Sequence, residues 1–283
     1  MIIAGVLERF DPRGEPVPLV FDSPHSGTVY PEDFGFTAPA EIVRTAEDTH
    51  VDALFAAAPD HGAPLLVAHF PRSYIDVNRH LGDLDPTLID GEWPGKIAPG
   101  EKTKLGVGLV RRLAQPGIPM YDRKLSVDAI RRRIETYYLP YHNELDRIIG
   151  DVHRRFGAVW HINCHSMASR GSDITPDGDS ARADFVLGDR DGTTCGPDFT
   201  GAVARFLGGK GYDVKVNDPY KGAEIVRRYA DPKARRHSLQ IEINRALYMN
   251  EKTRERSGGF AKLQADLTEL IGFLAAYARR AAP

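Results

Sequence analysis

Two histidines stand where apolar runs end. Val20-Phe21 leads through Asp22-Ser23-Pro24 into His25-Ser26-Gly27, and Ile162-Asn163-Cys164 leads into His165-Ser166-Met167. In open α/β sheets ligands gather beyond the carboxyl ends of the strands, so both imidazoles arrive where a site would form. Zn2+ accepts imidazole nitrogen and carboxylate oxygen, and its catalytic sites leave a position open for water. A third ligand would then be a carboxylate, and Glu47-Asp48-Thr49-His50 supplies candidates on what reads as the first helix. The plain alternative is a tight turn with an exposed His25 and, at Glu47 above all, an ordinary solvated helix acid.

Two further segments carry charge into apolar surroundings. Phe70-Pro71-Arg72-Ser73-Tyr74-Ile75-Asp76-Val77-Asn78-Arg79 sets two arginines around a short strand. A guanidinium offers a planar fork of donors that matches a carboxylate, and Asn78 adds a neutral donor beside Arg79. An Asp76–Arg ion pair pinning the strand would account for one arginine, less well for both. In Leu239-Gln240-Ile241-Glu242-Ile243-Asn244 a period of two puts Gln240 and Glu242 on one face and the apolar residues on the other. A carboxylate there lies on the solvent face of an edge strand or is buried for a purpose. Beside a metal-bound water it could serve as general base, its pKa set by burial and the cation. A purely structural Glu242 would pair instead with Arg245 or Arg227. His237, Lys221 and Arg227 could add polar groups to such a site, though each also suits the surface.

Other chemistries find little support. No GxGxxG follows a strand, and Ser23 and Ser26 lack a GxSxG setting. Cys164 occupies an in-strand position that suits packing better than nucleophilic attack. His61, His69, His80, His142, His153 and His161 read as structural.

The elements that must position these residues alternate. Short apolar runs at 17–21, 64–70, 74–77, 158–163, 183–187, 212–216 and 239–243 read as strands, and 40–58, 127–156, 199–207 and 260–277 show helical spacing. Pro140 predicts a kink or break in the second helix. The alternation predicts an α/β layered domain with a mixed, largely parallel sheet. A single domain over 1–283 is expected, because 283 residues at 42% apolar suffice for one core. Residues 82–117 hold four prolines and seven glycines and read as a long loop or lid, and 169–182 as a second loop. Lys and Arg number 37 against 39 Asp and Glu, a net charge of −2. That balance predicts neither nucleic-acid nor membrane binding. With two cysteines, no basic, apolar leader pattern and no membrane-length apolar run, a soluble cytoplasmic protein is expected; the oligomeric state stays open.

Taken in order, Ser-Pro-His-Ser-Gly, Glu-Asp-Thr-His, Arg-Ser-Tyr-Ile-Asp-Val-Asn-Arg, Cys-His-Ser-Met, Tyr-Lys-Gly-Ala-Glu-Ile-Val-Arg and Gln-Ile-Glu-Ile-Asn-Arg-Ala-Leu-Tyr-Met-Asn-Glu resemble the N-formylglutamate amidohydrolase family, from about residue 17 to residue 251. That family is distantly similar to zinc carboxypeptidases and aspartoacylase, which implies a three-layer α/β/α, phosphorylase/hydrolase-like fold and one divalent metal, Zn2+. The resemblance implies that His25 and His165 are metal ligands and Glu242 the general base. It further implies that Arg72 polarises the scissile carbonyl and that Asn78 and Arg79, with Arg227 nearby, bind the substrate. The distant relatives follow their first ligand His with a Glu three residues on, whereas His25 is followed by Thr28. Asp48 is therefore taken as the third ligand, since the family keeps an Asp-x-His element there, with Glu47 and His50 as alternatives. The implied reaction cleaves the small-molecule substrate N-formyl-L-glutamate into formate and glutamate, a step of histidine degradation. Hydrolysis of another N-acyl amino acid or small peptide, or carboxylate binding without turnover, are the competing readings.

Overall fold

The computed structural model describes every residue except 173, 174 and 176, which fall inside the expected loop 169–182. In chain order the strands are β1 (Ile2–Ile3), β2 (Leu7–Phe10), β3 (Leu19–Ser23) and β4 (Leu65–Ala68), then the short β5 (Ile89–Asp90), β6 (Leu113–Gln115), β7 (Ile118–Pro119) and β8 (Leu125–Ser126), and finally β9 (Val159–Met167), β10 (Phe185–Gly188), β11 (Val214–Val216) and β12 (Arg236–Asn244). Eight of them make one sheet in the order β1-β2-β4-β3-β9-β12-β10-β11. Its centre, β4-β3-β9-β12, is parallel, while β2 and β10 join antiparallel. The helices are α1 (Ala40–Val43), α2 (Val51–Leu54), α3 (Glu101–Lys104), α4 (Val127–Arg133), α5 (Leu139–Phe156), α6 (Pro197–Gly209), α7 (Glu224–Tyr229) and α8 (Phe260–Ala281).

Alternation along the strands builds a layer on each face. Leu19, Phe21, Leu65 and Val67 pack with Leu54, Phe199, Leu267 and Leu274 from α2, α6 and α8. Their neighbours Val20, Leu66 and Ala68 turn the other way, onto Ile130, Tyr141, Leu145 and Ile225 from α4, α5 and α7. Each fully buried Leu or Phe removes enough apolar surface to contribute roughly 1.5–3 kcal/mol. The result is the expected mixed, largely parallel α/β sheet with helices on both sides. Among the described residues no helix is long and apolar enough to cross a membrane.

Three local expectations give way. Residues 74–77 are turns rather than a strand, because the chain wraps the Asp76 carboxylate: Asn78 N donates to its Oδ1 at 2.9 Å, and Arg79 N donates to the Asp76 carbonyl. The helix expected at 40–58 breaks between α1 and α2. Asp48 N donates to the His25 carbonyl at 3.0 Å instead of to a helical partner, and His50 turns left-handed at φ 69°. Periodicity cannot register a bond to a residue 23 positions away. Pro140 does not break the second helical stretch; a π turn over Ile134–Tyr138 joins α4 to α5 just before it and absorbs the missing N–H. The segment 82–117 is pinned by Leu109 N to the Asp83 carbonyl at 2.8 Å and buries Leu84, Leu88 and Leu109.

Candidate metal centre and active site

The register of β9 against β12 sets the site. Glu242 lies opposite His165, and Gln240 opposite Asn163, on adjacent parallel strands. The alternate residues Ile162, Cys164, Leu239, Ile241 and Ile243 all enter the apolar layer on the other face. The polar face of two central strands is thus lined by Asn163, His165, Gln240 and Glu242. Gln240 Nε2 donates to Glu242 Oε1 at 2.9 Å.

Beside His165, the loop after β3 and the break before α2 bring up His25 and Asp48. His25 Nδ1 lies 3.1 Å from His165 Nδ1, His165 Nδ1 3.1 Å from Asp48 Oδ2, and His25 Nδ1 3.5 Å from Asp48 Oδ2. The far nitrogen of each ring decides what those near atoms are. His25 Nε2 is 2.8 Å from Asp76 Oδ1, and His165 Nε2 is 2.6 Å from Asn163 Oδ1, whose amide is oriented by donating to Asp22 at 2.7 Å. With Nε2–H on both rings these contacts are donations to Asp76 and Asn163, Asn78 Nδ2 is a non-bonded neighbour of His165 Nε2 at 3.2 Å, and both Nδ1 atoms present lone pairs. Two lone pairs and a carboxylate oxygen, all buried, converge on one point with no hydrogen between them. That arrangement is repulsive unless a cation sits among them. Tetrahedral ligands about 2.0–2.1 Å from Zn2+ would lie roughly 3.3 Å apart, close to the edges seen here. The donor set fits a divalent metal, and no described group other than His25, Asp48 and His165 clusters in this way.

Charge around the triangle keeps its carboxylate ionised. Burial opposes ionisation of Asp48, but bonds to His165 and His25 and the nearby Arg245 outweigh it and hold the carboxyl well below its usual range. Arg245 Nη2 donates to Asp48 Oδ1 at 2.9 Å. Asp76 is likewise held well below, burial being overcome by Arg72, His25 and Arg79. Glu242 goes the other way, as burial pushes its carboxyl up. It forms no ion pair with Arg245 or Arg227.

A cavity of about 890 Å3 opens over the centre, and Arg72, Asn78, Arg79, His165 and Glu242 line it. Arg72 spends Nε and Nη2 on Asp76 Oδ2, at 3.1 and 2.7 Å, which leaves Nη1 without a described partner. Asn78 Oδ1 accepts from Ile225 N at 2.8 Å, so its amide Nδ2 faces His165. Arg227 is the one expected site residue that is not brought in; it pairs with Glu224 at 2.8 Å and is half exposed. Glu47 is not a solvated acid, being 1% exposed and bonded by Tyr30 and Arg44. His50 turns its ring to the Arg254 carbonyl, away from the triangle. Burial pushes the Cys164 thiol far up, as suits packing.

A profile of the N-formylglutamate amidohydrolase family matches residues 17–249. The chain belongs to this family. It is 27% identical over 272 residues to an N-formylglutamate deformylase of Pseudomonas aeruginosa, covering 93% of this chain and 94% of that protein. A Pseudomonas putida N-formylglutamate deformylase is 28% identical over 246 residues, covering 83% of each. Among solved structures, an N-formylglutamate amidohydrolase from Ralstonia eutropha superposes with a TM-score of 0.93 at 51% identity, covering 98% and 99% of the two chains. An Agrobacterium tumefaciens gene product at 19% identity and a TM-score of 0.67, covering 97% and 96%, shares the fold.

In this family member three supporting residues escaped the sequence. Asp76, expected only as an ion-pair partner of one arginine, pairs with Arg72 at 2.7 Å and Arg79 at 3.9 Å and also holds His25, a role its position between two arginines did not reveal. Asn163 fixes the His165 ring from two positions back on the same strand. Arg245 serves Asp48, not Glu242, which only the crossing of β12 past the α1–α2 break makes possible.

Proposed function

We propose that the chain is a zinc-dependent amidohydrolase that cleaves the N-formyl amide of an acidic amino acid, N-formyl-L-glutamate foremost, to formate and glutamate. The observation that carries it is the convergence of two imidazole lone pairs and a carboxylate beside the buried Glu242, which has no ion-pair partner among the described residues, beneath a cavity whose walls are cationic. A divalent cation held by His25, Asp48 and His165 would supply Lewis acidity for the scissile carbonyl and lower the pKa of water from 15.7 toward about 7.

The protein's own groups account for the rest. Glu242 takes the proton of the attacking water as the new C–O bond forms, then delivers it to the amine nitrogen as the C–N bond breaks. Its raised pKa suits both halves of that exchange. Arg72 directs Nη1 toward the carbonyl oxygen as negative charge develops, a preorganised donor of the kind worth about 3 kcal/mol. Arg79, whose Nε and Nη1 rest on the Val107 and Asn78 carbonyls and whose Nη2 lies 3.9 Å from Asp76 Oδ2, offers its guanidinium to the α-carboxylate. Asn78 adds an amide donor beside it. A binding protein for carboxylates would gain nothing from a second anion, Glu242, in the same cavity.

The test is formate release by zinc-replete protein from N-formyl and N-acetyl derivatives of Glu, Asp, Gln and Leu. N-formyl-L-glutamate is expected to give the highest kcat/KM. Preference for an acetyl group, or tight binding without turnover, overturns this reading.

A further inference from the structure

The cavity holds more positive charge than one carboxylate needs. Among the described residues its walls carry ten Lys and Arg against three Glu, in a chain whose net charge is −2. Most of those cations are already matched. Arg72 rests on Asp76, Arg44 on Glu47, Arg182 on Asp177, Arg245 on Asp48, Arg170 on Asp179 and Lys221 on Asp191. Arg79 and Arg254 bond to backbone carbonyls.

Lys102, on α3, and Arg111 are different. Neither side chain makes a hydrogen bond or ion pair to any described residue, and Arg111 Nε is buried without a partner. Burial and the neighbouring Arg72 and Arg79 push the Arg111 guanidinium down to about 9, and the same causes lower Lys102. A desolvated guanidinium without an ion-pair partner is costly, and among the described residues Arg111 has none, which suits it to an anion that arrives later. Its seat is rigid. Asp76 N donates to the Leu109 carbonyl at 2.9 Å, and Arg79 Nε to the Val107 carbonyl at 3.3 Å, which ties 107–109 to the turns bearing Arg72 and Arg79. Gly108 packs so closely on Thr103 and Asp83 that a Cβ would collide with both, locking α3 against the same strip.

We propose that Lys102 and Arg111 form the seat for a second substrate carboxylate, the side-chain acid, while Arg79 holds the first. The site therefore selects dicarboxylates, and the segment 82–117 supplies that selectivity. The inference rests on the proposed amidohydrolase reading for the place of Arg79, but it can fail separately.

Two readouts test it on the full chain. Calorimetry compares glutarate with pentanoate, acids of equal length carrying two carboxylates and one. Wild type is expected to prefer glutarate, and Arg111→Met to reduce that preference by roughly 30-fold or more, as loss of one partner of a buried charge pair does. In turnover, the ratio of kcat/KM for N-formyl-L-glutamate over N-formyl-L-norvaline should fall by a similar factor. Arg111→Lys should recover part of it, and Lys102→Met should lower the ratio in its own right, which covers the case of an unfolded Arg111→Met. Absence of glutarate preference in wild type, or equal loss for both ligands in both methionine variants, overturns the seat. Glutarate preference lost in Arg111→Met, in a protein that releases no formate, supports the seat while the proposed reaction fails.

Discussion

Glu242 is where a structural and a catalytic role would part most clearly. A structural glutamate here would sit against a cation, yet Arg245 and Arg227 are committed to Asp48 and Glu224. Its bonded neighbour is Gln240, a neutral donor that positions one oxygen without fixing the charge. Glu242→Gln should therefore keep its metal and its melting temperature while kcat falls roughly 100-fold or more, the range general-base catalysis supplies. Zinc content, Tm and kcat on one preparation check this; a stable variant with wild-type kcat removes Glu242 from the mechanism. Residue types made much of this centre legible. Imidazoles at strand ends and a carboxylate alternating with isoleucines are local signals. Asp48 needed the family resemblance, because nothing nearby in sequence tells it from Glu47. Lys102 and Arg111 were hidden because a charge in a glycine- and proline-rich loop reads as surface until the loop is seen to fold over a cavity.

At the scale of elements, the central strands β3, β4, β9 and β12 were legible, whereas β1, β2 and the breaks were not, and 74–77 is no strand. Period-two alternation in β9 and β12 needs no distant information, whereas the interruption before α2 depends on Asp48 N bonding to the His25 carbonyl. The loop that carries His25 depends on Gly27, where an added Cβ would strike the backbone carbonyls of His69 and Phe70 beyond β4. Gly27→Ala should displace the loop and weaken zinc binding, by about 10-fold or more if it disturbs ligand orientation as loss of an orienting partner does. A chelator competition measures that affinity; unchanged affinity would mean that the loop yields elsewhere. Behind the centre, Asp22 ties β3 to β9 and α5 through His161, Asn163 and Tyr141. Burial works against its ionisation, but those bonds prevail and its folded pKa lies below the usual value. A depressed folded pKa adds stability above the unfolded value of about 3.9, and the contribution disappears as pH falls through the folded pKa. The Tm gap between wild type and Asp22→Asn should accordingly be widest near pH 6 and narrow below about pH 4. A gap independent of pH from 6 to 3 would show that the Asp22 charge contributes nothing.

For the molecule as a whole, the sheet brings a cluster of ligands and a cationic cavity to the same place. Anion-attracting walls would raise the local concentration of the proposed acidic substrate, and the buried lone pairs below them suit the proposed cation. A metal that binds the folded chain alone also stabilises it by mass action, about 2.7 kcal/mol at a hundredfold excess over its Kd. The fold class could be read from alternating elements, but the meeting of residues 25, 48, 165 and 242 at one end of the sheet required its strand order. Metal dependence of hydrolysis is the claim on which the rest stands. The direct measurement strips the protein with chelator and titrates zinc back while recording formate release from N-formyl-L-glutamate. Activity is expected to vanish in the stripped protein and return linearly to a plateau at one zinc per chain, and His165→Ala should show no such recovery. Full activity in metal-free protein, or a zinc-loaded protein that releases no formate, would contradict the account.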